Sequence, residues 1–165
     1  MKIDNWTTHI PVLNEILINK YKNSIFLELG TGYGSTPLII NNTKMSLHLE
    51  TNEDWYKQMK KFEILPYHEI KLFQDYSSYE WICDYFNKQW DVCLIDNAPG
   101  ESRQSNLMKL KNNCKIIICH DTEEILSKAY NYGWDFSSFK YVFTYINYDV
   151  TTTVCSDEIF FDMNN

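Results

Sequence analysis

Glycine and proline are scarce in this chain, at five and four of 165 residues. So few breakers leave no room for a flexible Gly/Pro linker, a collagen-like tract or a low-complexity spacer. The chain therefore reads as one domain over residues 1–165, with a helical segment at 1–22. Positive charge is also short. Fifteen Lys and Arg stand against 22 Asp and Glu, for a net charge of −7. That balance argues against a nucleic-acid surface, which needs a basic face. The densest basic spots, Lys57–Lys61 and Lys109–Lys111, read as solvated helix faces. No apolar run is long enough to span a bilayer, so no membrane partner is expected. Met1–Trp6 carries mixed charge and no apolar stretch of the secretory type. The five cysteines contain no C-x-x-C pair, which argues against a zinc site, and their odd number fits a reducing cytoplasm.

What is present is an alternation of strand and helix patterns. Ile10, Leu13, Ile16 and Leu17 recur at helical spacing, with Pro11 at the helix start. Strand-like runs follow at 24–29, 45–50, 68–73, 90–95 and 115–119. Helical patterns separate them at 35–42, 52–62, 77–87 and 101–111, and another, capped by Thr122, covers 122–130. Residues 140–148 and 151–161 then alternate and are rich in Tyr, Val, Thr and Phe, as in an antiparallel pair. The order predicts an α/β, doubly wound, mostly parallel sheet of seven strands ending in an antiparallel hairpin.

Three of the five glycines fall within five residues, in Glu28-Leu29-Gly30-Thr31-Gly32-Tyr33-Gly34-Ser35. A strand, a tight loop and a helix start meet there, the place where open α/β sheets bind nucleotide cofactors. The third glycine comes one residue too early for the dinucleotide pattern G-x-G-x-x-G, and Ser35 takes that slot. Glu28 would repel a pyrophosphate but suits a cofactor carrying an amine and a sulfonium. The stretch resembles the first motif, acid-x-G-x-G-x-G, of the class I S-adenosylmethionine (SAM)-dependent methyltransferases. The resemblance implies a Rossmann-like fold and a SAM site in which Glu28, Gly30, Thr31, Gly32, Gly34 and Ser35 hold the amino-acid end. Glu50 and Thr51 at the end of the second strand would hold the ribose. Trp55 would cover the adenine, with core packing as its competing role. Asp75 occupies the position that contacts the adenine amine.

Two further acids close the fourth and fifth strands, Asp96 and Asp121, the second preceded by His120. Neighbouring strands aim both into one crevice. The pair looks like that of the catechol-type O-methyltransferases, which bind Mg2+, although Thr122 stands where those have Asn. That likeness makes Asp96 and Asp121 metal ligands and Asp96, His120 and Asp121 the catalytic set, with Asp96 also at the cofactor. His120 serves as general base where no metal is used. Arg103 reads as an exposed helix residue, with pairing to Asp96 or to an anionic substrate as its competing role. Trp6, His9 and Tyr33 are candidate lining residues, with core or surface roles competing.

The expected reaction is methylation of a hydroxyl on a small molecule or glycan, by a chain acting as a homo-oligomer or inside a larger biosynthetic assembly. The alternatives are a silent SAM-binding or protein-interaction module, an NAD-dependent oxidoreductase, and a nucleic-acid methyltransferase working with a basic partner.

Overall fold

The computed structural model describes residues 7–73, 85, 87–146 and 149–163. The chain enters through α1 (Ile10–Asn14), which continues as a π-helical segment, Glu15–Lys20. Five strands and four helices follow among the described residues: β1 (Ile25–Leu29), α2 (Ser35–Asn42), β2 (Met45–Glu50), α3 (Glu53–Met59), β3 (His68–Leu72), β4 (Trp90–Ile95), α4 (Arg103–Leu110), β5 (Cys114–His120) and α5 (Glu124–Ala129). The hairpin strands are β6 (Tyr141–Tyr145) and β7 (Thr152–Ser156). The helical pattern at 77–87, together with Asp75, lies almost wholly outside the described residues.

The sheet has the order β3-β2-β1-β4-β5-β7-β6. Pairings from β3 through β5 are parallel, and β7 runs antiparallel to both of its neighbours. The expected doubly wound sheet with a reversed strand beside its edge is thus the observed one. The order reverses between β1 and β4, the switch point at which such sheets hold ligands outside the strands' carboxyl ends.

Both sheet faces are buried, which explains why the central strands are continuous apolar runs. Alternate residues go to opposite layers. Leu27, Leu29, Cys93, Ile95 and Ile117 pack with Leu107 and Leu110 of α4. Phe26, Val92, Leu94 and Ile118 pack on the other side with Val12 and Leu13 of α1. The N-terminal helix is therefore a full part of one layer.

Several boundaries differ from the sequence pattern. The hairpin strands are shorter because Ser156 turns the chain: its hydroxyl accepts from the amides of Glu158 and Ile159 at 3.0 and 2.9 Å. Thr122 does not cap α5. Its hydroxyl instead joins those of Thr151 and Thr153, each at 2.8 Å, and ties the end of β5 to β7. Asn52 does cap α3, accepting from the Trp55 amide at 2.9 Å.

Candidate active site

The glycine loop closes β1 against β4. Gly30 has φ +84, and a Cβ there would stand 2.3 Å from the carbonyl oxygen of Asp96. Only glycine fits, both for the positive φ and for the contact. The Gly30 amide donates to Leu49 and the Asp96 amide to Leu29, at 2.9 and 2.8 Å. The tips of β2, β1 and β4 are so joined side by side. At Gly34 a Cβ would meet Thr7 and Ile10 at 3.2 Å, so α1 sits directly on the loop.

Glu28 does not face the edge where a cofactor would lie. It shares a β1 face with Phe26 and is fully buried. Its Oε2 accepts from Thr36 Oγ1 at 2.7 Å and lies 2.5 Å from His48 Nδ1. Thr36 in turn accepts from the Gly32 amide at 3.0 Å. Glu28 therefore braces the loop from behind with Oε2, while its Oε1 is buried without a hydrogen-bond partner among the described residues. Behind it, Ser46 Oγ joins His48 Nε2 and His68 Nδ1, at 2.6 and 2.7 Å.

Glu50 stands at the tip of β2 as expected. Its carboxylate accepts the Thr31 amide and hydroxyl at 2.9 and 2.7 Å, and the Thr51 and Asn52 amides at 2.9 and 2.8 Å. Trp55 lies over the loop, donating from Nε1 to the Thr31 carbonyl at 2.6 Å, with Tyr33 edge-on to it at 4.9 Å. Thr51 Oγ1 reaches across to the Ala98 carbonyl at 3.0 Å. These residues fit an adenosyl ligand. Of the four donors on Glu50, the Thr31 hydroxyl is a free rotor, so a ribose hydroxyl can take its place. Ser35, at the start of α2, is buried behind the loop.

The acids of β4 and β5 do converge, but on Arg103. Its Nη2 lies 3.0 Å from Asp96 Oδ1 and its Nη1 3.1 Å from Asp121 Oδ2. Far from being an exposed helix residue, Arg103 is 6% exposed. It also donates to the carbonyls of Asn97 and His120, at 2.8 and 3.2 Å. Asn97 is itself fixed by Ser102 Oγ at 2.7 Å. The guanidinium fills the space between the two carboxylates that a shared Mg2+ would need. Asp96 and Asp121 as they stand do not fit that ion.

His120 lies behind the acids. Its Nδ1 is 3.1 Å from Asp96 Oδ1 and 3.3 Å from Asp121 Oδ1, an ion-pair spacing to both. Its Nε2 meets Thr8 Oγ1 at 2.9 Å. Asp121 adopts φ +57, a left-handed conformation uncommon outside glycine but tolerated by Asp. Tyr132 Oη donates to Asp121 Oδ2 at 3.3 Å and Trp134 Nε1 to its carbonyl at 3.1 Å. Burial opposes the charge on Asp96, but His120 and Arg103 outweigh it and hold the carboxyl well below the usual range. Burial likewise opposes the imidazolium of His120, and Asp96 and Asp121 win, raising its pKa.

His9 completes the cluster from the N-terminal helix. Its ring stands edge-on to His120 with centroids 4.5 Å apart. Sequence spacing gave no sign of this, because residues 9 and 120 meet only through the fold. The pairing of Arg103 with Asp96 is the competing role the sequence offered, while its burial and its hold on Asp121 were not visible there. Tyr132 was hidden for the same reason as His9.

No family model matches the sequence, and no curated protein does. Solved structures do match in fold. An rRNA methylase from Streptococcus thermophilus has a TM-score of 0.60 at 15% identity, over 96% of this chain and 99% of that one. A Klebsiella pneumoniae protein assigned provisionally as an O-methyltransferase gives 0.67 at 11%, over 94% and 82%. SMU.1697c from Streptococcus mutans, solved in complex with SAH, gives 0.60 at 15%, over 94% and 99%. The chain has the class I methyltransferase fold. Among the described residues, no helix is long and apolar enough to cross a membrane.

Proposed function

We propose that this chain is a SAM-dependent methyltransferase acting on a hydroxyl of a small molecule or sugar. One observation carries the reading. Gly30 of the cofactor-type loop packs directly on Asp96 of the acid–base cluster, so a cofactor on the loop and an acceptor at Asp96 would be neighbours. When bound, SAM supplies an electrophilic methyl group and a neutral thioether leaving group.

The residues of the chain would then bind, align and move a proton. The loop and Glu50 hold the adenosyl group, and Trp55 lies beside it. Alignment of acceptor and methyl can supply several powers of ten in rate. Asp96, with a side chain 25% exposed, is the group an acceptor hydroxyl can reach. Its low basicity makes it a relay, and His120 behind it is the base that receives the proton. Asp121 and Asp96 stabilise the resulting imidazolium, while Arg103 keeps both carboxylates in place.

The test is calorimetric titration with SAM and SAH, with NAD as control, followed by an acceptor screen using radiolabelled SAM. Micromolar binding of both adenosyl ligands and label transfer to a hydroxyl compound are expected. Absence of adenosyl binding would overturn the reading. A second reading, a module that binds SAM without turnover, draws on the neutralisation of Asp96 and Asp121 by Arg103. Label transfer to any acceptor excludes it.

A further inference from the structure

His9 is 2% exposed, yet neither ring nitrogen has a hydrogen-bond partner. The Nδ1 of His120 is also buried without one. A buried polar atom without a partner is costly. His120 Nδ1 has the Asp96 and Asp121 carboxylates beside it, but the His9 ring has no hydrogen-bond partner among the described residues. A metal ion would take one lone pair from each ring.

One donor atom from each of His9, Asp96 and His120 lies within 4.8 Å of the others. Donors at ~2.1 Å from a common tetrahedral ion stand ~3.4 Å apart, so a closure of up to ~1.4 Å in the widest pair brings all three onto one centre. Two of them, His120 Nδ1 and Asp96 Oδ1, already stand 3.1 Å apart, the spacing of adjacent ligands. Two imidazoles and one carboxylate form a donor set for first-row transition dications rather than for Mg2+, which prefers oxygen.

We infer that His9, Asp96 and His120 form a binding site for a divalent transition-metal ion. It differs from the Asp96–Asp121 pair, whose intervening space Arg103 fills, in using the N-terminal helix and two nitrogens. The surrounding charges permit it. Asp96 and Asp121 are negative and Arg103 is positive, which leaves a net negative surround around a neutral His120 ring. Arg103, on Asp96 and on the His120 carbonyl, would orient two ligands from outside. With an ion bound, an acceptor hydroxyl at Asp96 loses its proton more readily, and His120 is a ligand instead of the base.

The site rests on this geometry and stands whichever acceptor is methylated. The experiment is titration of the metal-free full chain with Co2+, followed by visible absorption. One equivalent is expected, with ligand-field bands and no thiolate charge-transfer band. His9→Ala should weaken it by on the order of 100-fold, with the circular dichroism unchanged. His9→Phe, which keeps a ring in the layer, should do the same. No stoichiometric uptake by the wild type, thiolate bands, or equal uptake in a folded His9 variant would overturn the site. SAH calorimetry on the same samples reads the cofactor assignment separately.

Discussion

Arg103 stacks on Tyr132, its guanidinium carbon 4.3 Å from the ring centroid. The same ring fills the space beside Gly100, where a Cβ would come within 2.2 Å of it. Tyr132 thus clamps the one cation that holds Asp96 and Asp121. Burial raises its phenol to about 12, with Asp121 adding to the effect, so it stays a neutral donor at any working pH. Tyr132→Leu should lower transition-state stabilisation more than fold stability, read as a drop in kcat with the thermal midpoint little changed.

Arg103→Ala leaves two carboxylates close together in a buried setting. Breaking such a pair costs roughly 3–5 kcal/mol, read in a urea melt. Mg2+ should restore part of that stability in the variant and none in the wild type. Equal Mg2+ responses would remove Arg103 from the role of built-in cation.

Glu50→Ala should weaken SAH binding by about 1.5–3 kcal/mol, the worth of hydrogen bonds to a charged group. It should also loosen the loop, which hydrogen exchange at Thr31 and Thr51 would show. Thr31→Val is the finer probe, because it removes only the rotating donor.

Asp96→Asn should abolish label transfer while leaving SAH affinity largely intact. Full turnover in that variant would sink the proton relay.

Asp91 supplies the pH test of the fold. It accepts from the Ile25 amide at 2.9 Å and from Lys115 at 2.7 Å, linking β1, β4 and β5 at their amino ends. Burial opposes its ionisation, but Lys115 and the Ile25 amide outweigh it and lower its pKa. A depressed folded value means the stabilisation is fully present above the ordinary carboxylate range, near pH 4. It is lost as pH falls through the lower folded value. Asp91→Asn should flatten the stability curve in that acid window and leave its shape near pH 7 unaltered.

The sheet was legible because its signals are local. Strand β5 is an apolar run bounded by polar residues, and Gly30, Gly32 and Gly34 mark a tight loop, in which Gly30 brings backbone close to backbone. Asn52 announced its cap in the same way. The site was legible only where a residue sits at a strand tip, as Glu50, Asp96 and Asp121 do. Glu28 is harder to read, because strand alternation sends it to the covered face, where its carboxylate meets Thr36 and His48. Thr122 misled because hydroxyls across the sheet outcompeted a cap. His9 stood among the candidate lining residues and Arg103 beside Asp96, but which groups they meet, like the whole role of Tyr132, comes from contacts between distant segments.

Thr8 and His120 touch across a separation of 112 residues. During synthesis Thr8 precedes His120, and at ~5–20 residues per second the stretch between them takes roughly 6 to 22 s to make. Until then α1 can rest on Phe26 and Ile39, and Val92, Leu94 and Ile118 arrive later to complete its cover. The chemistry at His120 is thus assembled only as that layer closes over Val12 and Leu13.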